Sequence, residues 1–562
     1  VMKRRIHMAK PGTFFDSFLS IKKYLNRELR RDMREEASEG AASSLNTSIS
    51  SNEKKKFYFK KMWLCALMVY LSYVLIYSSR NLLNGIIIAR QRPIAKCFTI
   101  TFIILPITLI MSVLVRKWLS KYSIQRMMTY ALGVYCLYFL FVNPALIYFK
   151  KRLDVNEFLV ADLIADGKVA YKRARFCEIL FCALTSWTVT LQFSMINIYE
   201  SFVQYVLMFS VFNEIFTQKQ YNGFVSIIVF CETVSLLTSS ILSLMHQQII
   251  ASVEYYNKEY VNMTFSGISA ALCLTLFSIF AYLRKTVESG RTGSLQRSNV
   301  VLHVETPEDD YDSVRDRSLL SLLRLKFVRA ISINVITLFI LNEFIYISFE
   351  SGVYTKAKKT FKHVTSSVIK STDIIRIVSA LLILLSLLMS VPRWLIQNNW
   401  KFLAYSPCVW MIMVSIVQFT MDTILKGVDN DGFQFVSRAF QSLKSDKNVD
   451  LRRCIYGIYN TFTITALIIV RYFRNIGFLI TKETLTMMID SKIRPRLRTI
   501  YDGMCPLIGK AIASCVVLFT SELLNFSDAR SFSIVVLVFA LVVFYFWMKN
   551  TRYLVKRYYE LF

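Results

Sequence analysis

Twelve stretches of this sequence stay apolar, most of them over about 18 to 25 residues, enough for a helix to cross a hydrocarbon layer about 30 Å thick. They are residues 62–83, 97–115, 127–149, 184–213, 221–245, 261–283, 327–349, 374–390, 402–425, 454–478, 505–523 and 531–548. Lipid offers a backbone no hydrogen-bond partners, so each stretch must satisfy its own N–H and C=O groups as a helix. An all-α membrane protein with 12 transmembrane helices follows. The fourth stretch exceeds one perpendicular crossing and is expected to tilt.

The net charge of +30 would suggest nucleic acid in a soluble chain. Here most Lys and Arg lie in tails and loops, where they set topology, so no nucleic acid polymer is expected as a partner. Eleven Cys are scattered without pairing spacings and the four His lack metal-ligand spacing, so neither a disulfide framework nor a metal or other cofactor is expected. Five residues rather than four separate Gly503 from Gly509-Lys510, Ala511 replaces the hydroxyl residue and no strand precedes them. That is not a nucleoside-triphosphatase loop, and an enzyme is not expected.

The chain divides into a basic, Ser-rich cytosolic tail (1–56) read as disordered, a six-helix half (57–283), a polar cytosolic linker (284–323), a second six-helix half (324–550) and a cytosolic C-terminal tail (551–562). Residues 150–175 and 354–370 read as amphipathic segments outside the bilayer. Two halves of six spans with both ends inside suit a secondary transporter whose site lies between the halves. Span count alone supports that correspondence, because no sequence repeat joins the halves.

Charges inside apolar runs are costly, so they line polar cavities or pair with one another. Arg471 and Arg474 stand a turn apart, Lys482 follows in Phe478-Leu-Ile-Thr481-Lys482-Glu483, and Asp502 and Gly509-Lys510 come next. Arginine grips phosphate oxygens through paired hydrogen bonds and lysine acts as a point charge, so this set suits a polyphosphate passenger. Lys482 is equally a juxtamembrane lysine obeying the positive-inside bias. Glu200, Glu232, Glu343 and Glu350 are intramembrane carboxylates, either structural partners of buried cations or groups that yield those cations to substrate. Arg80, Asn84, Asn197, Asn213 and Lys356 complete the candidate substrate-binding residues, with helix–helix hydrogen bonding as the alternative role for Asn213.

At these residues the chain resembles the ATP/ADP antiporter family, the nucleotide transporters of plastids and obligate intracellular parasites, and looks most like its microsporidian members. The family's Phe-Asp-Pro-Thr-Lys-Glu matches Phe478 to Glu483 after two basic residues three apart, Arg471 and Arg474, and its downstream Asp and Gly-Lys match Asp502 and Gly509-Lys510. Trp187 and Asn213 match a family Trp and Asn, the glutamate between them falls on Asn197, and Glu200 follows one turn later. The family's Arg-Asp-Thr-Lys is Arg80-Asn81-Leu82-Leu83, keeping the arginine and losing the lysine. Its glutamate before Lys-Ala-Lys corresponds to Glu350 before Lys356-Ala357-Lys358. The resemblance implies a major facilitator superfamily-like fold and exchange of ATP for ADP by alternating access, other nucleotides being further candidates. It also implies a monomer in the plasma membrane of an intracellular parasite, with a mitosome membrane as the other location. Read from the residues alone, a proton-coupled nucleotide symporter, a carrier of another organic or inorganic anion, and a multi-span receptor or channel stay open.

Overall fold

A computed structural model describes residues 47–154, 183–216, 218–253, 258–291, 325–359, 364–389, 399–429, 449–486, 494–524 and 533–561, with 391, 395, 489 and 530 standing singly. Among these, twelve helices are long and apolar enough to cross a membrane: α1 Phe57–Gln91, α2 Pro93–Leu119, α3 Ile124–Tyr148, α4 Trp187–Ile215, α5 Ile227–Ser252, α6 Tyr260–Val287, α7 Lys326–Ala357, α8 Val364–Leu388, α9 Trp400–Leu425, α10 Gly457–Thr486, α11 Thr499–Ser521 and α12 Ser533–Glu560. The chain is a multi-pass membrane protein.

Large apolar side chains such as Ile110, Phe141, Leu385, Met413 and Phe519 point outward, where a soluble protein would carry charge. Buried positions hold polar side chains such as Glu232, Asp373 and Arg471 among the apolar ones. The most apolar windows of α4 and α7 are 78% buried, against 28% for α12 and 33% for α3. Central helices therefore meet protein on most sides, and peripheral ones mostly meet lipid.

The two halves share one packing plan. In the first, α1 packs on α5 and α6, and α3 on α6; in the second, α7 packs on α11 and α12, and α9 on α12. Contacts between the halves pair up in the same way, α5 with α8 and α2 with α11. This repeat exists in three dimensions although the sequence shows none. Small residues allow its closest approaches. A Cβ on Gly509 would stand 2.6 Å from the Ile336 carbonyl oxygen, and one on Gly85 would stand 2.7 Å from Ile369 Cγ1, so α7–α11 and α1–α8 each need glycine for their spacing.

Successive helices alternate in direction. The end of the bundle where α1 starts, the base, holds the end of α4, because Lys61 Nζ donates to the Ile215 carbonyl at 2.8 Å. The opposite end, the top, joins the end of α3 to the start of α4, where Trp187 Nε1 donates to the Leu153 carbonyl at 2.8 Å.

Several boundaries differ from the sequence reading. Helical backbone runs unbroken from Thr47 to Phe98 with Pro93 inside it, so residues 47–56 of the expected tail are helical and no loop separates the first two spans. The remainder of that tail, residues 1–46, lies outside the described residues. The expected segment at 354–370 is divided between a helix reaching Lys359 and α8 starting at Val364. The C-terminal helix continues to Leu561 through the expected tail. Residues 155–175 of the expected interfacial helix and 292–323 of the linker lie outside the described residues.

Candidate functional site

A cavity of about 1420 Å³, its solvent-open part included, lies between the halves. Its walls come from α1, α2, α4, α5, α7, α8, α10 and α11, with no lining residue from α3, α6, α9 or α12 among the described residues. Helical periodicity explains which side chains reach it. Tyr73, Tyr77, Arg80 and Asn84 are spaced by three or four residues on α1, as are Leu338, Asn342, Glu343, Tyr346 and Glu350 on α7 and Arg471, Arg474, Asn475, Phe478 and Lys482 on α10, apart from adjacent pairs. Such spacing sets each group on one face.

Four stretches of the walls are π-helical: Thr99–Ile104, Tyr199–Met208, Arg474–Leu479 and Thr499–Met504. They supply Ile100; Ser201 and Tyr205; Asn475, Phe478 and Leu479; and Asp502, respectively, and Glu200 and Arg474 besides. Wider turns of this kind recur where a helix must re-aim side chains at a functional site.

Seven cationic residues line the cavity, Arg80, Lys96, Arg376, Arg471, Arg474, Lys482 and Lys510, against five carboxylates, Glu200, Glu232, Glu343, Glu350 and Asp502. Four of the cations are paired. Arg80 forks onto Glu200, its Nη1 donating to Oε1 at 2.7 Å and its Nη2 to Oε2, and reaches Asn197 Oδ1 at 3.4 Å. Lys96 Nζ donates to both Glu350 oxygens at 2.6 and 2.8 Å, joining the halves toward the top. Arg474 lies 3.8 Å from Glu232, which also accepts from Tyr77 at 2.6 Å and from Asn475 at 3.4 Å, joining α5 to α10 toward the base.

Lys482 contacts Asp502 at 2.5 Å and Glu483 at 3.1 Å, and Arg498 contacts Glu483 at 2.5 Å, a network of two cations and two acids joining α10 to α11. The lysine expected as a free phosphate ligand is thus engaged within its own half. It still reaches the cavity wall.

Three cations have no carboxylate within 4 Å among the described residues. Arg471 spends Nη2 on the Tyr346 hydroxyl at 3.0 Å and leaves Nε and Nη1 buried without partners. Arg376 donates Nη1 to the Tyr77 carbonyl at 3.0 Å and leaves Nε without one. Lys510 Nζ stands 5.7 Å from the centre of the Phe339 ring. All three belong to the second half. Buried donors with nothing to bind are costly. An anion in the cavity would satisfy them.

Of the sequence candidates, Arg80, Asn84, Asn197, Glu200, Glu232, Glu350, Arg471, Arg474, Lys482 and Lys510 line this cavity. Two do not. Asn213 sits at the base end of α4 with both side-chain polar atoms lacking partners, and Lys356 is exposed near the top end of α7. Glu350, expected to pair with Arg80, Arg471, Arg474 or Lys482, pairs with Lys96 instead. Lys96 and Arg376 escaped the sequence reading. Lys96 lay in the expected loop before the second span, and Arg376 at the start of the eighth. A signal for the latter was present in Asp373 and Arg376, two charges three residues apart beside an apolar run.

Comparison with known proteins bears on this constellation. The sequence is 23% identical to ADP,ATP carrier protein 1 of Paranosema grylli over 492 residues, 86% of this chain and 85% of that protein. It is also 23% identical to ADP,ATP carrier protein 3 of Encephalitozoon cuniculi (strain GB-M1) over 484 residues, 85% of this chain and 86% of that protein. The chain is a relative of the microsporidian ADP,ATP carriers. No family model matches. Similar solved structures are nucleoside transporter NupG, 12% identical with a TM-score of 0.43 over 87% of this chain and 98% of that one, and a bacterial homologue of the iron transporter ferroportin in its outward-facing state, 11% identical with a TM-score of 0.46 over 87% and 99%. The similarity to these carriers extends over about 85% of the chain.

Proposed function

We propose that the protein exchanges nucleotides across a membrane of an intracellular parasite, ATP for ADP, by alternating access to this cavity. The observation that carries the reading is a set of cations with no carboxylate within 4 Å among the described residues, Arg376 and Arg471 buried and Lys510 partly buried, in a chamber between the halves. Relationship to proteins named as ADP,ATP carriers supports the choice of nucleotide. The phosphates lodge against the second half, where the unmatched positive charge lies. The base and sugar lie toward Tyr73, Tyr77 and Tyr205 of α1 and α4, with the Asn84 and Asn197 amides nearby.

Cross-half contacts bracket the chamber. Lys96–Glu350 closes it toward the top, and Glu232 with Arg474 and Asn475 toward the base. Opening either end separates buried charges, and a bound phosphate replaces the partner that a cation loses. A loaded protein can therefore change face at lower cost than an empty one, which is the condition for exchange.

Reconstitution tests this. In liposomes loaded with ADP, the purified chain is expected to take up labelled ATP, with uptake suppressed when internal nucleotide is omitted and when unlabelled ADP is added outside. Uptake indifferent to both would contradict nucleotide exchange.

A further inference from the structure

Where α1, α5 and α8 meet, behind the cavity wall, lies a carboxylate that the exchange scheme does not use. Asp373 is fully buried. Its Oδ1 accepts one hydrogen bond, from Asn81 Nδ2 at 2.7 Å, and its Oδ2 has no partner. Asn81 Oδ1 and Ser240 Oγ are likewise buried and unpartnered, and Ser243 Oγ accepts from Asn81 Nδ2 at 2.9 Å. No lysine or arginine comes within 4 Å of Asp373 among the described residues. Oxygen acceptors outnumber hydrogens here, and a buried carboxylate held mainly by neutral partners is unstable in its charged form. A proton on Oδ2 supplies the missing donor, toward Asn81 Oδ1 or Ser240 Oγ.

We propose that Asp373 is a proton-binding site whose occupancy is coupled, through Arg376, to nucleotide in the cavity. The proposal rests on the nucleotide reading above. Arg376 lies one turn along α8, faces Asp373 and lines the cavity. On its other sides stand Arg471 of α10, Tyr346 of α7 and Tyr77 of α1. The groups facing Asp373 from α1 and α5 are Asn81, Ser240 and Ser243, all uncharged. Further along α5, His246 is engaged with Asn262 of α6 at 3.1 Å.

The coupling follows from charge. With the cavity empty, the positive field of Arg376 disfavours a proton on Asp373. Phosphate over Arg376 cancels that field, so the proton is held more tightly. By linkage, the proton strengthens nucleotide binding to the same degree. The site spans both halves, α1 and α5 from one and α8 from the other, so the proton exchanges with water when the top opens. Protonation promotes binding, so affinity is highest at acid pH and falls as pH rises through the titration of Asp373.

The test is calorimetric ATP binding to the purified full chain across the acid to alkaline range, compared with Asp373→Asn. Titration of ATP itself affects both proteins alike, so the difference between profiles is the readout. The expected result is wild-type affinity that weakens with rising pH more steeply than that of Asp373→Asn, the variant keeping the acid-limit affinity. Superimposable profiles would overturn the proton site and leave nucleotide binding standing; absence of ATP binding by wild type at every pH would overturn both. Should Asp373→Asn not fold, Ser240→Ala with Ser243→Ala keeps the carboxylate but makes its surroundings less polar, which disfavours its charged form. That pair is expected to move the midpoint to higher pH, and an unmoved midpoint would overturn the proposal.

Discussion

Arg471→Ala is expected to reduce nucleotide uptake about ten- to hundredfold, because a charge-assisted hydrogen bond to phosphate is worth about 1.5–3 kcal/mol. The folded protein is expected to survive. Arg471 is buried, no carboxylate depends on it, and two of its nitrogens lack partners, so its removal leaves no acid stranded. Losing an uncompensated buried charge is neutral or stabilising. Uptake in liposomes and a melting curve of the purified variant check the two halves of this expectation. A lost melt with lost uptake would mean that Arg471 holds the fold instead. Lys482→Ala is a poorer probe, because it would strip Asp502 and Glu483 of a cation and mix transport with stability.

The second large effect concerns the latch between α2 and α7. Lys96 and Glu350 side chains are only 7% and 4% exposed, so removing one partner strands the other in a buried interface. Lys96→Met is expected to cost about 3–5 kcal/mol, the usual penalty for breaking a buried pair. Glu350→Met should do the same. Combining them should restore most of the loss, since two apolar side chains of similar length leave no charge unpaired. Thermal unfolding of both single variants and the double variant, in one detergent, measures the coupling. Additive losses would show that the pair does not act as a unit.

The number of spans was legible in the sequence because a lipid crossing demands an apolar run that a soluble helix does not. What an apolar window trims away are the helix ends where polar side chains turn inward. The eighth span begins at Val364, not 374, because Lys370, Asp373 and Arg376 lower its apolar content. The tenth runs on to Thr486 and the eleventh starts at Thr499, which puts Lys482 and Asp502 inside helices rather than beside them. Lys96 was hidden for the same reason. The cation stripe on α10 could be read from spacing alone, whereas its distant acidic partners could not, since Lys482 meets Asp502 from α11, 20 positions away, and Arg474 meets Glu232 from α5. Asn197 stands one turn before Glu200, a local sign of the cavity-facing side of α4 that Asn213, at its base end, lacks.

The central claim is that phosphate groups are what the chamber between the halves recognises. Calorimetric binding of ATP, ADP, AMP and adenosine to the purified chain tests it most directly. Affinity should fall at each step as phosphates are removed, and the differences should shrink in Arg471→Ala. Adenosine binding as tightly as ATP would contradict the account.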